Sequence, residues 1–164
     1  MERVPVCSFW GVVLFFVLVG AVGFASASTE RVADYRGLIV ALNQGRSVRV
    51  VIDYSKTTIA ADGKEVPGPR ATGGMKFEPW ERFGKGLLGN DREYVAASHT
   101  VLISHPRHGH VLNYVRVRVY EDGEVETLAR YLLPNTFEVV MEQVYRGEVS
   151  RGADGRAVSL FATK

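Results

Sequence analysis

All four histidines of the chain fall between positions 99 and 110, as His99, His105, His108 and His110. Neutral imidazoles clustered this closely can hold a divalent metal. The order His-Pro-Arg-His-Gly-His matches neither a zinc-finger spacing nor His-Glu-x-x-His, and it falls on a hairpin turn, where histidines are usually solvated. His105, His108 and His110 are therefore a weak metal candidate. His105 and His110 would flank the turn and face each other, which suits adventitious zinc, copper or nickel. No cofactor is expected.

The other chemistry-bearing clusters each compete with a plainer explanation. Asp53, Tyr54, Ser55 and Lys56 place nucleophile and base types side by side. Strand alternation would send Asp53 and Ser55 to one face and Tyr54 and Lys56 to the other. Neither Ser-x-x-Lys nor Gly-x-Ser-x-Gly is present, so no catalytic residue is assigned. Residues 68–74, GPRATGG, could cradle an anion on backbone amides, yet they lack the Gly-Lys-Ser/Thr of a P-loop and no helix follows. Arg116, Arg118 and Arg130, with Arg107 nearby, could bind a carboxylate, a phosphate or a sulfated sugar. Charges interspersed along a strand more often mark a solvated face, here paired to Glu124 and Glu126. His99, Asn113 and Tyr131 are polar residues on strongly patterned strands. A buried amide and phenol need partners, so they either hold each other or line a pocket for a sugar or phenolic ligand. The ligand-binding candidates are thus His99, Asn113, Arg116 and Tyr131.

The elements that must position these residues begin after an address segment. Ser8 to Phe24 carry no charge, Arg3 precedes them, and Ala25-Ser26-Ala27 follows with small residues where a signal peptidase reads. Residues 1–27 are expected to be a cleaved signal; an uncleaved membrane anchor is the alternative. Cleavage would remove Cys7, the single cysteine of the 164 residues. The exported remainder, residues 28–164, would then be one domain with no disulfide, thiolate metal site or Cys nucleophile.

That domain should open on a helix. Thr29 is the expected N-cap, Val32, Tyr35, Leu38, Ile39 and Leu42 make the apolar face, and Gly45 ends it. Val48 to Tyr54 alternate as a strand. Residues 60–74 hold four Gly and two Pro and read as a long loop. Met75 to Phe83 suggest a short strand or turn. From Tyr94 onward strands alternate with turns: Val95–Ser104, Val111–Tyr120, Val125–Leu132, Phe137–Val149 and Ala157–Phe161. At the Glu121-Asp122-Gly123 turn, a three-residue loop with Gly123 left-handed pairs Val119 with Val125, Val117 with Thr127 and Val115 with Ala129. It also sets Arg118 against Glu126 and Asn113 against Tyr131. The expected fold is α+β, mainly β: an N-terminal helix, then an antiparallel meander of about six or seven strands, curved into a partly closed barrel or a sandwich.

Charge is close to balance, 20 Lys+Arg against 18 Asp+Glu, which gives no electrostatic footprint for nucleic acid. The hydrophobic share of 46% argues against disorder. No period of 20–50 residues repeats, so solenoids and propellers are excluded.

The strings VIDYSK (51–56), ATGG (71–74), GND (89–91), HPRHG (105–109), NYVRVRVYEDG (113–123) and ARYLLP (129–134) occur in an order and spacing that resembles the VirK family. The resemblance runs roughly from Ala41 to Val149. It implies a small exported bacterial protein of a group associated with plant-responsive virulence genes, sharing a common fold, and it carries no catalytic residue over. One departure is Thr57, where the family resemblance implies a Cys. The combined expectation is an exported protein, periplasmic or extracellular, non-enzymatic, binding a small ligand or a protein partner. It would touch a membrane only through an uncleaved signal. A metal-assisted enzyme using the His99–His110 cluster and a structural or adhesive surface module are the alternatives.

Overall fold

The computed structural model describes residues 28–61, 64–152 and 154–163. The expected signal segment, residues 1–27, lies outside them. Eleven strands and one α-helix follow in the order β1 (Thr29–Val32), α1 (Tyr35–Asn43), β2 (Val48–Asp53), β3 (Thr58–Ala61), β4 (Lys64–Pro67), β5 (Thr72–Lys76), β6 (Trp80–Phe83), β7 (Tyr94–His105), β8 (Gly109–Tyr120), β9 (Glu124–Leu132), β10 (Val139–Glu148) and β11 (Val158–Thr163).

The helix starts later than its apolar spacing suggests. Asp34, not Thr29, is the N-cap, and its carboxylate accepts from the Gly37 amide at 2.8 Å. Thr29 instead begins β1, which pairs antiparallel with β11 from Thr29↔Thr163 to Val32↔Leu160. Val32 reaches the core from that strand, so its three-residue step to Tyr35 imitates helical spacing. Gly45, at φ +69°, ends the helix as expected.

The strands form two antiparallel sheets. One runs β1-β11-β2-β5 and the other β4-β3-β10-β9-β8-β7-β6. The expected meander is the run from β6 to β10 in the larger sheet. Its central register is the bulged one: Val119↔Val125, Val117↔Thr127, Val115↔Ala129 and Arg118↔Glu126, with Gly123 at φ +92°. Eleven strands replace the expected six or seven, because the stretch read as a loop at 60–74 is largely extended. Within it β4 pairs with β3, and β5 pairs with β2 through Gly74↔Val51 and Gly73↔Ile52. Those glycines satisfy their backbone groups in a ladder, so their presence does not make a loop.

Neither sheet closes into a barrel among the described residues. The two share one core. Leu38, Ala41 and Leu42 of the helix, Val48, Val50, Ile52 and Leu160 of the smaller sheet, and Val95, Val117, Val119 and Val125 of the larger sheet belong to one buried cluster, with fully buried Phe77 between β5 and β6. Each Val, Leu, Ile or Phe side chain among them contributes roughly 1.5–3 kcal/mol by leaving water.

Leu38 is fully buried, whereas Val40 on the same helix is 49% exposed. Leu38→Ala should cost about 2–5 kcal/mol and Val40→Ala under about 0.5 kcal/mol in urea unfolding. Equal losses would mean that the helix docks by a different face.

Candidate functional site: a tyrosine-lined cleft between the sheets

Odd-numbered residues of β8 face the core and even-numbered ones face away, because side chains alternate along a strand. The inward set is aliphatic at Val117 and Val119 and turns polar toward the other end of the strand. There Val101, Asn113, Tyr131 and Met141 occupy one rung across β7, β8, β9 and β10. His99, Val115 and Ala129 occupy the next. Opposite them stand Ile52, Tyr54 and the Gly73–Met75 segment of β5. Between these surfaces lies a cleft of about 410 Å³. Its lining includes Tyr145 and contains no Lys, Arg, Asp or Glu.

Tyr54 enters this cleft because β2 ends at Asp53 and the chain makes a single 3₁₀ turn over Tyr54–Lys56. The Asp53 carboxylate caps that turn, accepting from the Ser55 amide at 3.2 Å and the Ser55 hydroxyl at 2.6 Å. Lys56 also lies 3.3 Å from Asp53, so the expected separation of Lys56 from Asp53 is lost with the alternation. The bond from Ser55 chiefly holds the Asp53 carboxyl below its ordinary value. Asp53 serves as a cap acceptor in this arrangement. Buried Thr57 donates to the Tyr54 carbonyl at 2.7 Å. It fills the position where the family resemblance implies a Cys. Gly73 is required where Tyr54 crosses β5: a Cβ there would stand 2.9 Å from the Tyr54 ring.

The Tyr54 and Tyr145 rings meet at 4.7 Å. Burial, then the neighbouring Tyr145 and Tyr131 phenols, pushes the Tyr54 phenol above the usual tyrosine value. Burial, then Tyr131, does the same to Tyr145. Both hydroxyls are therefore protonated donors at neutral pH. Asn113 sits beside Tyr131 in register, as expected, but the two do not hydrogen-bond to each other. Among the described residues the Asn113 amide, the His99 imidazole and the Tyr54, Tyr131 and Tyr145 hydroxyls have no hydrogen-bond partner in the protein.

Of the residues singled out from sequence, His99, Asn113 and Tyr131 come together in this cleft. Arg116 does not. It is an even-numbered β8 residue, level with Ser98 and Leu128 on the opposite face. The histidines also separate. In the β7–β8 register His110 lies opposite Ser104, and His105 lies opposite Gly109. His105 therefore stacks on His108 at 4.9 Å instead of facing His110, and it touches the Tyr131 ring at 5.0 Å. No group of three or more His, Cys, Asp or Glu is placed to hold a metal among the described residues. Tyr145, Met75 and Met141 are cleft residues that no sequence motif marks, and Tyr54, grouped in sequence with Asp53, Ser55 and Lys56, joins them. Met141 was detectable only by continuing the Tyr131 rung into β10, and Tyr145, opposite Thr127, by following alternation along that strand.

The raised phenol values carry a definite sign. Where the folded value lies above the unfolded one, the group's stabilisation is complete below the unfolded value and is lost as pH rises through the folded one. Alkaline absorbance titration should therefore show late-ionising tyrosines, and stability should fall as they ionise. Tyr54→Phe and Tyr145→Phe should each remove one late-ionising group. Unchanged titration curves would place those phenols in water.

The model of the VirK protein family matches residues 31–137. No curated protein matches the chain. The crystal structure of a VirK family protein from Legionella pneumophila superposes with a TM-score of 0.61, covering 79% of this chain and 97% of that one at 14% identity, a likeness of fold. With well over half of its length matched, the chain belongs to the VirK family.

Proposed function

We propose that this VirK-family protein is exported and holds a neutral, ring-bearing small molecule in the cleft between its sheets. The observation that carries the reading is a cleft of about 410 Å³ walled by three tyrosines and free of charged side chains. That volume lies in the range of small-molecule sites, which are mostly apolar with a few oriented polar groups. Ile52, Met75 and Met141 supply apolar surface, and methionine sulfur favours aromatic neighbours. Asn113 offers both a donor and an acceptor, and the protonated phenols add donors. A charged ligand would be desolvated there without a counter-charge, which is costly. Neutral phenols and uncharged sugars satisfy these terms. No Ser, Cys, Lys, Asp or Glu lines the cleft, which supports binding over nucleophilic or carboxylate catalysis. Export rests on the apolar run and Ala25-Ser26-Ala27.

Two measurements test the reading. Secreted material should begin at Ser28 by N-terminal sequencing, and a chain retained with residues 1–27 in the cytosol would remove the export claim. Saturation-transfer NMR should detect phenol or methyl glucoside on the protein. Asn113→Ala and Tyr131→Ala should weaken that binding roughly tenfold, the loss expected from one buried hydrogen bond or ring contact. Undiminished binding in both variants would place the ligand elsewhere.

A further inference from the structure

The face of the larger sheet turned away from the cleft carries a second concavity, of about 400 Å³, running along β7. Its floor is low because β7 presents small residues there. Ala96 lies between Glu81 on β6 and Arg118 on β8, and Ser98 lies beside Arg116. One wall is cationic. Arg116 and Arg118 have no carboxylate each; both approach the same Glu126 oxygen, at 3.7 Å and 3.4 Å. Other arginines are better served, since Arg92 meets both Asp122 and Glu124 at 2.6 Å and 2.7 Å. The Nε groups of Arg116 and Arg118 are buried with no acceptor, so the pair is under-compensated inside the protein.

Aromatic rings complete the groove. The Arg118 guanidinium lies over the Tyr94 ring at 5.0 Å, and Tyr94 stacks on Phe83 at 4.9 Å. Tyr114 lines the same hollow. A guanidinium resting on a ring keeps its in-plane donors available for an oxyanion. Two guanidiniums against Glu126 leave one positive charge at this wall, which Glu81 on the far side offsets in the hollow as a whole. Glu81, across the groove, opposes any anion of higher charge.

We propose that this groove binds a monoanionic carboxylate carried on a flat ring, with Arg116 and Arg118 taking the carboxylate, Tyr114 beside the ring, and Tyr94 backing the Arg118 guanidinium. The site is separate from the cleft and does not rest on the reading given to it, because even-numbered and odd-numbered β8 residues line opposite faces. Part of the attraction is the exchange of a shared, distant Glu126 contact for a closer planar one.

Benzoate is the probe and benzamide its neutral isostere. In amide-resolved NMR at low salt, benzoate should shift Ser98 and Tyr114 and benzamide should not. Raising the ionic strength should weaken benzoate binding. Arg118→Gln should weaken it by roughly tenfold, as expected for a charge-assisted hydrogen bond. Glu126→Gln should strengthen it severalfold, by freeing both guanidiniums, and this variant decides the matter if Arg118→Gln does not fold. Tyr131→Ala should leave benzoate binding unchanged. Equal shifts of Ser98 and Tyr114 by benzoate and benzamide, or an unaltered benzoate affinity at those residues in Glu126→Gln, would overturn the proposal. Loss of benzoate binding in Tyr131→Ala would assign the ligand to the cleft and equally overturn it.

Discussion

The register of β8 against β9 is the constraint on which the rest of the molecule depends. Gly123 stands at φ +92°, where a side chain is strained, and makes the extra step that puts Val119 beside Val125. Arg92 braces the same turn by bridging Asp122 and Glu124 while lying 4.1 Å from the centre of the Tyr120 ring. A slip of one residue would exchange the two faces of β8. Asn113 would leave the cleft, Arg116 and Arg118 would enter the core, and Val117 and Val119 would meet water. The core, the cleft and the cationic groove are thus three consequences of one turn.

The turn also ties the sheets together. The Val149 amide donates to the Gly123 carbonyl at 3.0 Å, and Val149 bridges to Val158 at the start of β11. Gly147, one residue before the end of β10, makes this approach possible, because a Cβ there would come within 2.8 Å of Ala157. Near that junction the inward rungs are aliphatic and closed. Farther along the same strands Tyr131, Tyr145 and Asn113 replace Val, and Ile52, Tyr54 and the Gly73–Met75 segment form the facing wall. The protein is a tightly joined double layer that keeps open space where its inward side chains become polar.

Much of the larger sheet was legible because its determinants are local. Alternation through residues 113–120, a glycine at 123 and the pairing of Arg118 with Glu126 suffice to set β8 on β9, and they bring Asn113 to Tyr131 without a coordinate. The helix was legible in its apolar face and its Gly45 stop, but not in its start, since Asp34 competes with Thr29 as a cap and β1 is recruited by a strand more than a hundred residues away. The glycine-rich stretch before Met75 was unreadable as a strand. Gly73 and Gly74 have no strand propensity of their own, and β2 supplies the ladder that holds them.

The amino-acid order by itself determined which residues of β7 to β9 share a face, where those strands turn, and that Asn113 and Tyr131 are neighbours. These follow from side-chain alternation and from the backbone freedom of glycine, both of which act within a few residues. Tertiary structure alone decided that Tyr54 and Tyr145 join them, that His105 stacks on His108, and that Arg116 and Arg118 share one carboxylate. Those outcomes depend on which sheet lies against which, and that choice is made by distant apolar surfaces burying one another, a non-directional force that leaves no local pattern in the chain.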